Sequence, residues 1–197
     1  MKPYSEACDQ NREPILGVIT KAFADCKHVL EIGSGTGQHA VFFASKLPHL
    51  NWQTSDVSEN LAGINLWIDD FPSENIRRPL TIDVSTRPWP LARSYDAVFS
   101  ANTTHIMSWS NVERFFAGIA ATLRVGGTFC LYGPFNYDNR FTSESNARFD
   151  QWLKNRDPNS GIRDFEALNK LATQNNLILA DDIELPANNR ILIWHKM

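Results

Sequence analysis

The stretch His28 to His39, HVLEIGSGTGQH, constrains the fold more than any other part of the chain. A short apolar run, Val29-Leu30-Glu31-Ile32, has the composition of a buried strand and empties into three glycines at alternate positions, Gly33, Gly35 and Gly37. Without a Cβ the backbone can take positive φ and approach a ligand, and the helix that follows can offer free N–H groups at the same point. Strand, glycine turn and helix in this order predict a ligand-facing corner. A tight turn alone requires fewer glycines.

Bulk properties narrow what that ligand can be. With 197 residues, 43% hydrophobic and 21% charged, the chain can bury a full core, and its length suits one domain, 1–197. Lys and Arg total 19 against 22 Asp and Glu, a net charge of −3. That balance gives no general attraction to nucleic acid, so the expected partner is a small molecule. The three cysteines, Cys8, Cys26 and Cys130, are odd in number and far apart, which offers neither a disulfide framework nor a metal pair. The N-terminal MKPYSEACDQNREP is too polar for a signal peptide, and no apolar run approaches the ~20 residues that cross a bilayer. A cytoplasmic protein without a membrane partner or bound metal is the expectation; the oligomeric state is left open.

In chain order, Pro14 opens a stretch with Ile15, Leu16, Val18, Ile19 and Phe23 at helical spacing, which predicts a helix over 14–24 with proline in its first turn. Residues 1–13 are then a flexible tail or a lid. Gln38 to Leu47 reads as a helix stopped by Pro48. Strands are expected at 51–55, 78–83, 95–100 and 128–132, with helices at 59–71 and 111–123 between them. Strands separated by helix-length segments imply βαβ crossovers and a parallel sheet covered on both faces. Two further helices are expected at 143–154 and 164–175. The runs Leu177–Ile183 and Arg190–Trp194 are joined by only six residues, too few for a parallel crossover, so they predict an antiparallel hairpin. The fold class is therefore α/β, a doubly wound Rossmann-like sheet of seven strands, mostly parallel with a C-terminal antiparallel hairpin.

Candidate site residues follow from strand ends, where ligands gather in open α/β sheets. Asp56 and Asp83 each end a strand; a helix cap is the other role open to Asp56, and a solvent-facing turn the other role open to Asp83. His105 lies three residues past Asn102, beyond the fourth strand, where an imidazole could take a proton from a substrate; a hydrogen-bonded loop histidine is the alternative. Tyr132 and Asn136 stand at the end of the fifth strand. Asn11, Arg12, Arg163, Asn188 and Asn189 would complete a polar substrate site if they converge. Trp67, Trp89, Trp109 and Trp194 are read as packing. A dinucleotide oxidoreductase is the main rival reading, but GxGxxG counted from Gly33 places Gln38 at the third small position, and no P-loop pattern occurs.

Five parallel strands and a terminal hairpin resemble the class I methyltransferases that use S-adenosylmethionine. In that resemblance Glu31 to Gly37, with Ser34 and the following Gln38, corresponds to the first cofactor motif. Asp56 stands at the acid that holds the ribose hydroxyls, and Asp83 with Val84 at the position beside the adenine amino group. Ser100-Ala101-Asn102 falls where methyl donor and acceptor meet. The order of NREPIL, LEIGSGTGQH, WQTSDV, YGPF, SNARFD, GIRD and PANNR further resembles a methyltransferase-like family of bacteria and animals whose substrate is not established. The resemblance implies S-adenosylmethionine as cofactor and methyl transfer; for that reaction His105 is the candidate base and Tyr132 and Asn102 the positioning groups by their place past the strand ends, and the charge balance points to a small acceptor. A non-catalytic module that binds the same cofactor is the alternative. No NPPY-type segment follows the fourth strand, which counts against an adenine or glutamine amino group as acceptor.

Overall fold

The computed structural model describes residues 1–197. In order, the chain forms α1 (Glu6–Ala22), β1 (His28–Glu31), α2 (Gln38–Lys46), β2 (Asn51–Asp56), α3 (Leu61–Asp70), β3 (Ile76–Thr81), β4 (Tyr95–Ala101), α4 (Trp109–Thr122) and β5 (Leu123–Gly133). Then come β6 (Phe135–Asn136), α5 (Glu144–Arg156), β7 (Arg163–Asp164), α6 (Phe165–Gln174), β8 (Leu177–Leu185) and β9 (Asn189–Lys196). The main sheet has seven strands in the order β3-β2-β1-β4-β5-β9-β8. The first five are parallel; β9 runs antiparallel to β5, and β8 antiparallel to β9. This is the Rossmann-like sheet with the hairpin that the strand spacing implied. The two-residue pair β6 and β7 was outside that expectation, being too short to carry a pattern.

Two cores follow from the period-two alternation of strand side chains. Ala97, Phe99, Cys130, Tyr132, Ile191 and Ile193 point to the face covered by α1, α2 and α3. Their neighbours Val98, Phe129, Leu131, Leu192 and Trp194 point to the face covered by α4 and α6. Both faces of the central strands are therefore apolar, as the crossovers require.

Three boundaries depart from the sequence reading. Helix α1 begins at Glu6, not at Pro14, so residues 6–13 are helical and Pro14 lies inside a 17-residue helix. Proline lacks the N–H that would bond the Gln10 carbonyl, but the polar half is held from outside. The Ser5 N–H donates to Gln38 Oε1 at 2.6 Å, Trp67 Nε1 donates to the Pro3 carbonyl at 2.7 Å, and Lys2 sits 3.6 Å above the Trp67 ring. Strand β3 ends at Thr81, which leaves Asp83 two residues beyond it, in a loop. Strand β5 begins at Leu123, five residues before the apolar run starts.

Trp194 shows what the second core depends on. It is fully buried, stacks on Phe129 at 5.3 Å and 19°, meets Phe116 edge-on and donates from Nε1 to Asn169 Oδ1 at 3.0 Å. Trp194→Ala should lower unfolding stability by about 3–5 kcal/mol. Urea denaturation followed by circular dichroism checks it; a loss well under that range would mean the two sheet-covering helices close over the space.

Candidate functional site

The sheet reverses direction at β1, since the chain leaves β1 toward β2 and β3 and returns to β4 on the other side. The carboxyl ends of β1 and β4 thus flank a crevice, the place where open α/β sheets bind ligands. A cleft of about 570 Å³ opens there, within the range of small-molecule sites. A larger groove, about 680 Å³, runs between residues 87–94 and the end of α4, and none of the strand-end acids lines it.

The glycine turn forms the wall of the cleft and is tied to β2. The Gly33 and Ser34 N–H groups both donate to the Ser55 carbonyl at 3.0 Å, and the Gly35 N–H donates to Asp56 Oδ2 at 2.6 Å. Gly33 has φ +74°, and a Cβ there would meet Thr103 Cγ2 at 2.5 Å. Gly35 has φ +57° and nothing within 4 Å of where its Cβ would lie. The first glycine is needed for packing and conformation, the second leaves open a cradle in the cleft.

Asp56 is held from three sides. Besides Gly35, its Oδ1 accepts from the Val57 N–H at 2.8 Å and from Asn60 Nδ2 at 2.9 Å. Asp83 and Val84 line the far end, where hydrogen bonds from the Ser85 side chain and N–H hold the Asp83 carboxyl below its usual range. Asn102, the residue after β4, has φ +57°, and its N–H donates to the Tyr132 carbonyl at 2.9 Å. Gly33, Ser34, Gly35, Asp56, Asp83, Val84 and Asn102 therefore come together on one cleft.

The other candidates lie elsewhere. Glu31 sits beneath the turn, 2% exposed, accepting from Ser34 Oγ at 2.9 Å and Trp52 Nε1 at 3.1 Å. Gly37 packs against α3, where its Cβ would meet Ile64 Cα at 3.0 Å. Gln38 fastens Ser5 and so ties down the N-terminal segment. Asn11 and Arg12 lie on α1: Asn11 Oδ1 is 2.7 Å from His39 Nε2, and Arg12 pairs with Asp9 at 2.7 Å while its guanidinium covers Phe42. Asn136 is in β6, its Oδ1 buried without a partner. Arg163 donates to the Thr104 and Asn159 carbonyls at 3.0 and 2.8 Å and to the Met107 carbonyl, which fixes the 104–107 turn. Asn188 and Asn189 shape the β8 to β9 connection.

The two residues expected to move or position protons are also displaced. His105 is buried in the 104–106 turn with its ring edge-on to Phe149 at 5.2 Å. Burial, aided by the Arg163 charge, pushes its imidazole down to about 4. Tyr132 faces the core under α1, and burial pushes its hydroxyl up to about 12. Neither lines the cleft. A sequence gives the position of a residue along a strand end; here packing turned both side chains inward.

The cleft includes residues that the sequence reading passed over. His39, on the first turn of α2, lines it, and so do Ser5, just before α1, Cys8 of α1, Asn60, Thr103, Asn111 and Asp157. Burial, the largest influence, pushes the His39 imidazole down to about 4. Asn60 lies only four residues past Asp56 and bonds it at 2.9 Å, so chain proximity carried a signal for Asn60; no local spacing singles out His39.

The fold is that of class I methyltransferases. An O-methyltransferase family protein from Burkholderia thailandensis superposes with TM-score 0.84 at 14% identity, over 97% of this chain and 57% of that one. Human N-acetylserotonin methyltransferase, solved in complex with SAM, gives 0.80 at 16% identity, over 97% and 53%. The S-adenosylmethionine-dependent methyltransferase SibL in its apo form gives 0.80 at 18%, over 96% and 55%. The chain spans little more than half the length of these structures. By sequence it belongs to the family described as protein of unknown function DUF938, whose model matches residues 2–196. No helix is long and apolar enough to cross a membrane.

The floor of the site carries its own pH dependence. Burial pushes the Glu31 carboxyl up to about 7 from 4.5, against the hydrogen bonds from Trp52 and Ser34. A carboxyl raised on folding stabilises the protein most below its unfolded value, and that contribution is lost as pH rises through about 7. Glu31→Gln, which keeps an acceptor for Ser34 and Trp52, should therefore gain stability relative to wild type between pH 5 and 8. The expected difference is on the order of 2–3 kcal/mol. Denaturant melts at several pH values check it, and parallel curves for the two proteins would show that Glu31 is ionised throughout.

Proposed function

We propose that this protein is an S-adenosylmethionine-dependent methyltransferase acting on a small-molecule acceptor. The observation that carries this reading is the convergence of the Gly33 to Gly35 turn, Asp56, Asp83 with Val84, and Asn102 on a cleft lined by no Lys or Arg. The residues fit the cofactor: Gly35 leaves backbone-level space, and the rigidly held Asp56 retains acceptor capacity for a ribose hydroxyl. Asp83, which takes the Ser85 N–H at Oδ1 and the Ser85 hydroxyl, retains acceptor capacity for an exocyclic amino group, with Val84, Ile82 and Met107 as apolar walls.

When bound, S-adenosylmethionine supplies a methyl group activated by its sulfonium charge. What the chain contributes is orientation and exclusion of water at the end of β4, where Asn102 and Thr103 face the space an acceptor would enter. Lining carboxylates favour a cationic donor over an anionic one. The dinucleotide alternative is weighed on the same ground. Gly35, Gly37 and Ala40 do satisfy GxGxxA when counted from Gly35, yet a pyrophosphate would meet no cationic side chain, and the Gly35 N–H is already given to Asp56.

Calorimetric titration with S-adenosylmethionine, S-adenosylhomocysteine and NAD tests the reading. Both sulfur nucleotides should bind, NAD should not, and Asp56→Ala should weaken binding at least about tenfold. Binding of NAD with neither sulfur nucleotide would replace the methyltransferase with an oxidoreductase. Cofactor binding without transfer to any member of a panel of hydroxyl, amine and thiol acceptors would favour a binding module.

A further inference from the structure

Asp83, Val84 and Asp56 account for an adenosine half of the cleft. The cleft is also lined by His39, on the helix that follows the glycine turn, and by Ser5 and Cys8 at the start of the chain. His39 is 6% exposed, and its orientation is fixed by stacking on Phe43 at 5.2 Å and 16° and by edge contact with Phe99. Its Nε2 lies 2.7 Å from Asn11 Oδ1. An amide oxygen only accepts, so with this amide orientation Nε2 carries the ring proton and Nδ1 the lone pair. With Nε2 committed to α1, Nδ1 is the ring nitrogen left for a ligand. The cleft as a whole is lined by three carboxylates, Asp56, Asp83 and Asp157, and by no Lys or Arg. An acceptor nitrogen inside a cleft of negative lining suits a positively charged hydrogen-bond donor.

We propose that His39, oriented by Asn11, binds the α-ammonium of the amino-acid half of the nucleotide, with Nδ1 accepting its hydrogen bond. The assignment rests on the S-adenosylmethionine reading above and adds to it a contact from the first turn of α2. It also gives the polar half of α1 a purpose: Asn11 sets the tautomer of the ring, as a partner on one imidazole nitrogen does for the other.

Two measurements on the full chain test it. In calorimetry, His39→Phe, which keeps the stacking on Phe43 and removes both nitrogens, should weaken S-adenosylhomocysteine at least about tenfold, while methylthioadenosine, which lacks the amino-acid half, should change less than about twofold. Asn11→Ala should move the two ligands apart in the same direction by a smaller factor. Nitrogen NMR of the wild-type imidazoles needs no variant: the His39 Nδ1 signal should shift with S-adenosylhomocysteine and stay in place with methylthioadenosine. Equal losses for both ligands, an unchanged S-adenosylhomocysteine affinity, or an Nδ1 signal that S-adenosylhomocysteine leaves unmoved would overturn the assignment. If the wild type binds S-adenosylhomocysteine and the His39 measurements fail, only this inference falls; if it binds neither sulfur nucleotide, the proposed function falls as well.

Discussion

The corner between β1 and α2 governs the rest of the molecule, because one short segment must end a strand, turn, face a ligand and start a helix. It is stitched to β2 at successive residues. The Ser55 carbonyl takes the Gly33 and Ser34 N–H groups, the Ser55 N–H reaches Ser34 Oγ at 3.2 Å, and Asp56 takes the Gly35 N–H. Below, the Ser34 hydroxyl donates a hydrogen bond to Glu31, as does the Trp52 indole of β2. Backbone groups in a buried turn have to find partners, and here β2 supplies them. The shape of the cleft is thereby set by the pairing of β1 with β2 and does not depend on the turn alone.

Helix α1 joins two kinds of attachment. Its C-terminal half buries Ile15 and Ile19 against the sheet, followed by Phe23, so that half is fixed by apolar area. Its N-terminal half and the residues leading into it are fixed by single polar contacts at specific places: Ser5 on Gln38, Asn11 on His39, Lys2 on Trp67. Pro14 falls at the junction, where the backbone already lacks one hydrogen bond. The polar half thus covers one end of the cleft without belonging to a core.

This division explains what could be read from the sequence. Strands β4, β5 and β9 alternate residues between two apolar cores, so their existence, and the antiparallel return of β9, follow from composition and from connection length. The start of α1 was hidden because its first half packs by hydrogen bonds, which leave no apolar periodicity. The end of β3 was misplaced because Ile82 prolongs the apolar alternation past Thr81, where pairing with β2 stops. At the site, Gly33, Asp56, Asp83 and Asn102 were legible because strand ends in a parallel sheet all reach one edge. Gln38, Arg163, His105 and Tyr132 stand near that edge in sequence, but each side chain is taken by a structural partner. Residue type and position do not disclose that direction. His39 was missed for the converse reason: it reads as an ordinary residue of an amphipathic helix, and its cleft-facing place depends on α1 lying over it.

The charge arrangement separates the lining of the cleft from its floor. His39, kept unprotonated at neutral pH by burial, and Asp83, kept ionised by Ser85, do not change state near neutrality. Glu31 beneath them is the group that burial brings to about 7. Its contacts are the Ser34 hydroxyl and the Trp52 indole, so a change in its protonation acts first on the turn that carries Gly33 and Gly35. A pH response of ligand binding would then arise from below, through the position of that turn, while His39 and Asp83 keep their charge.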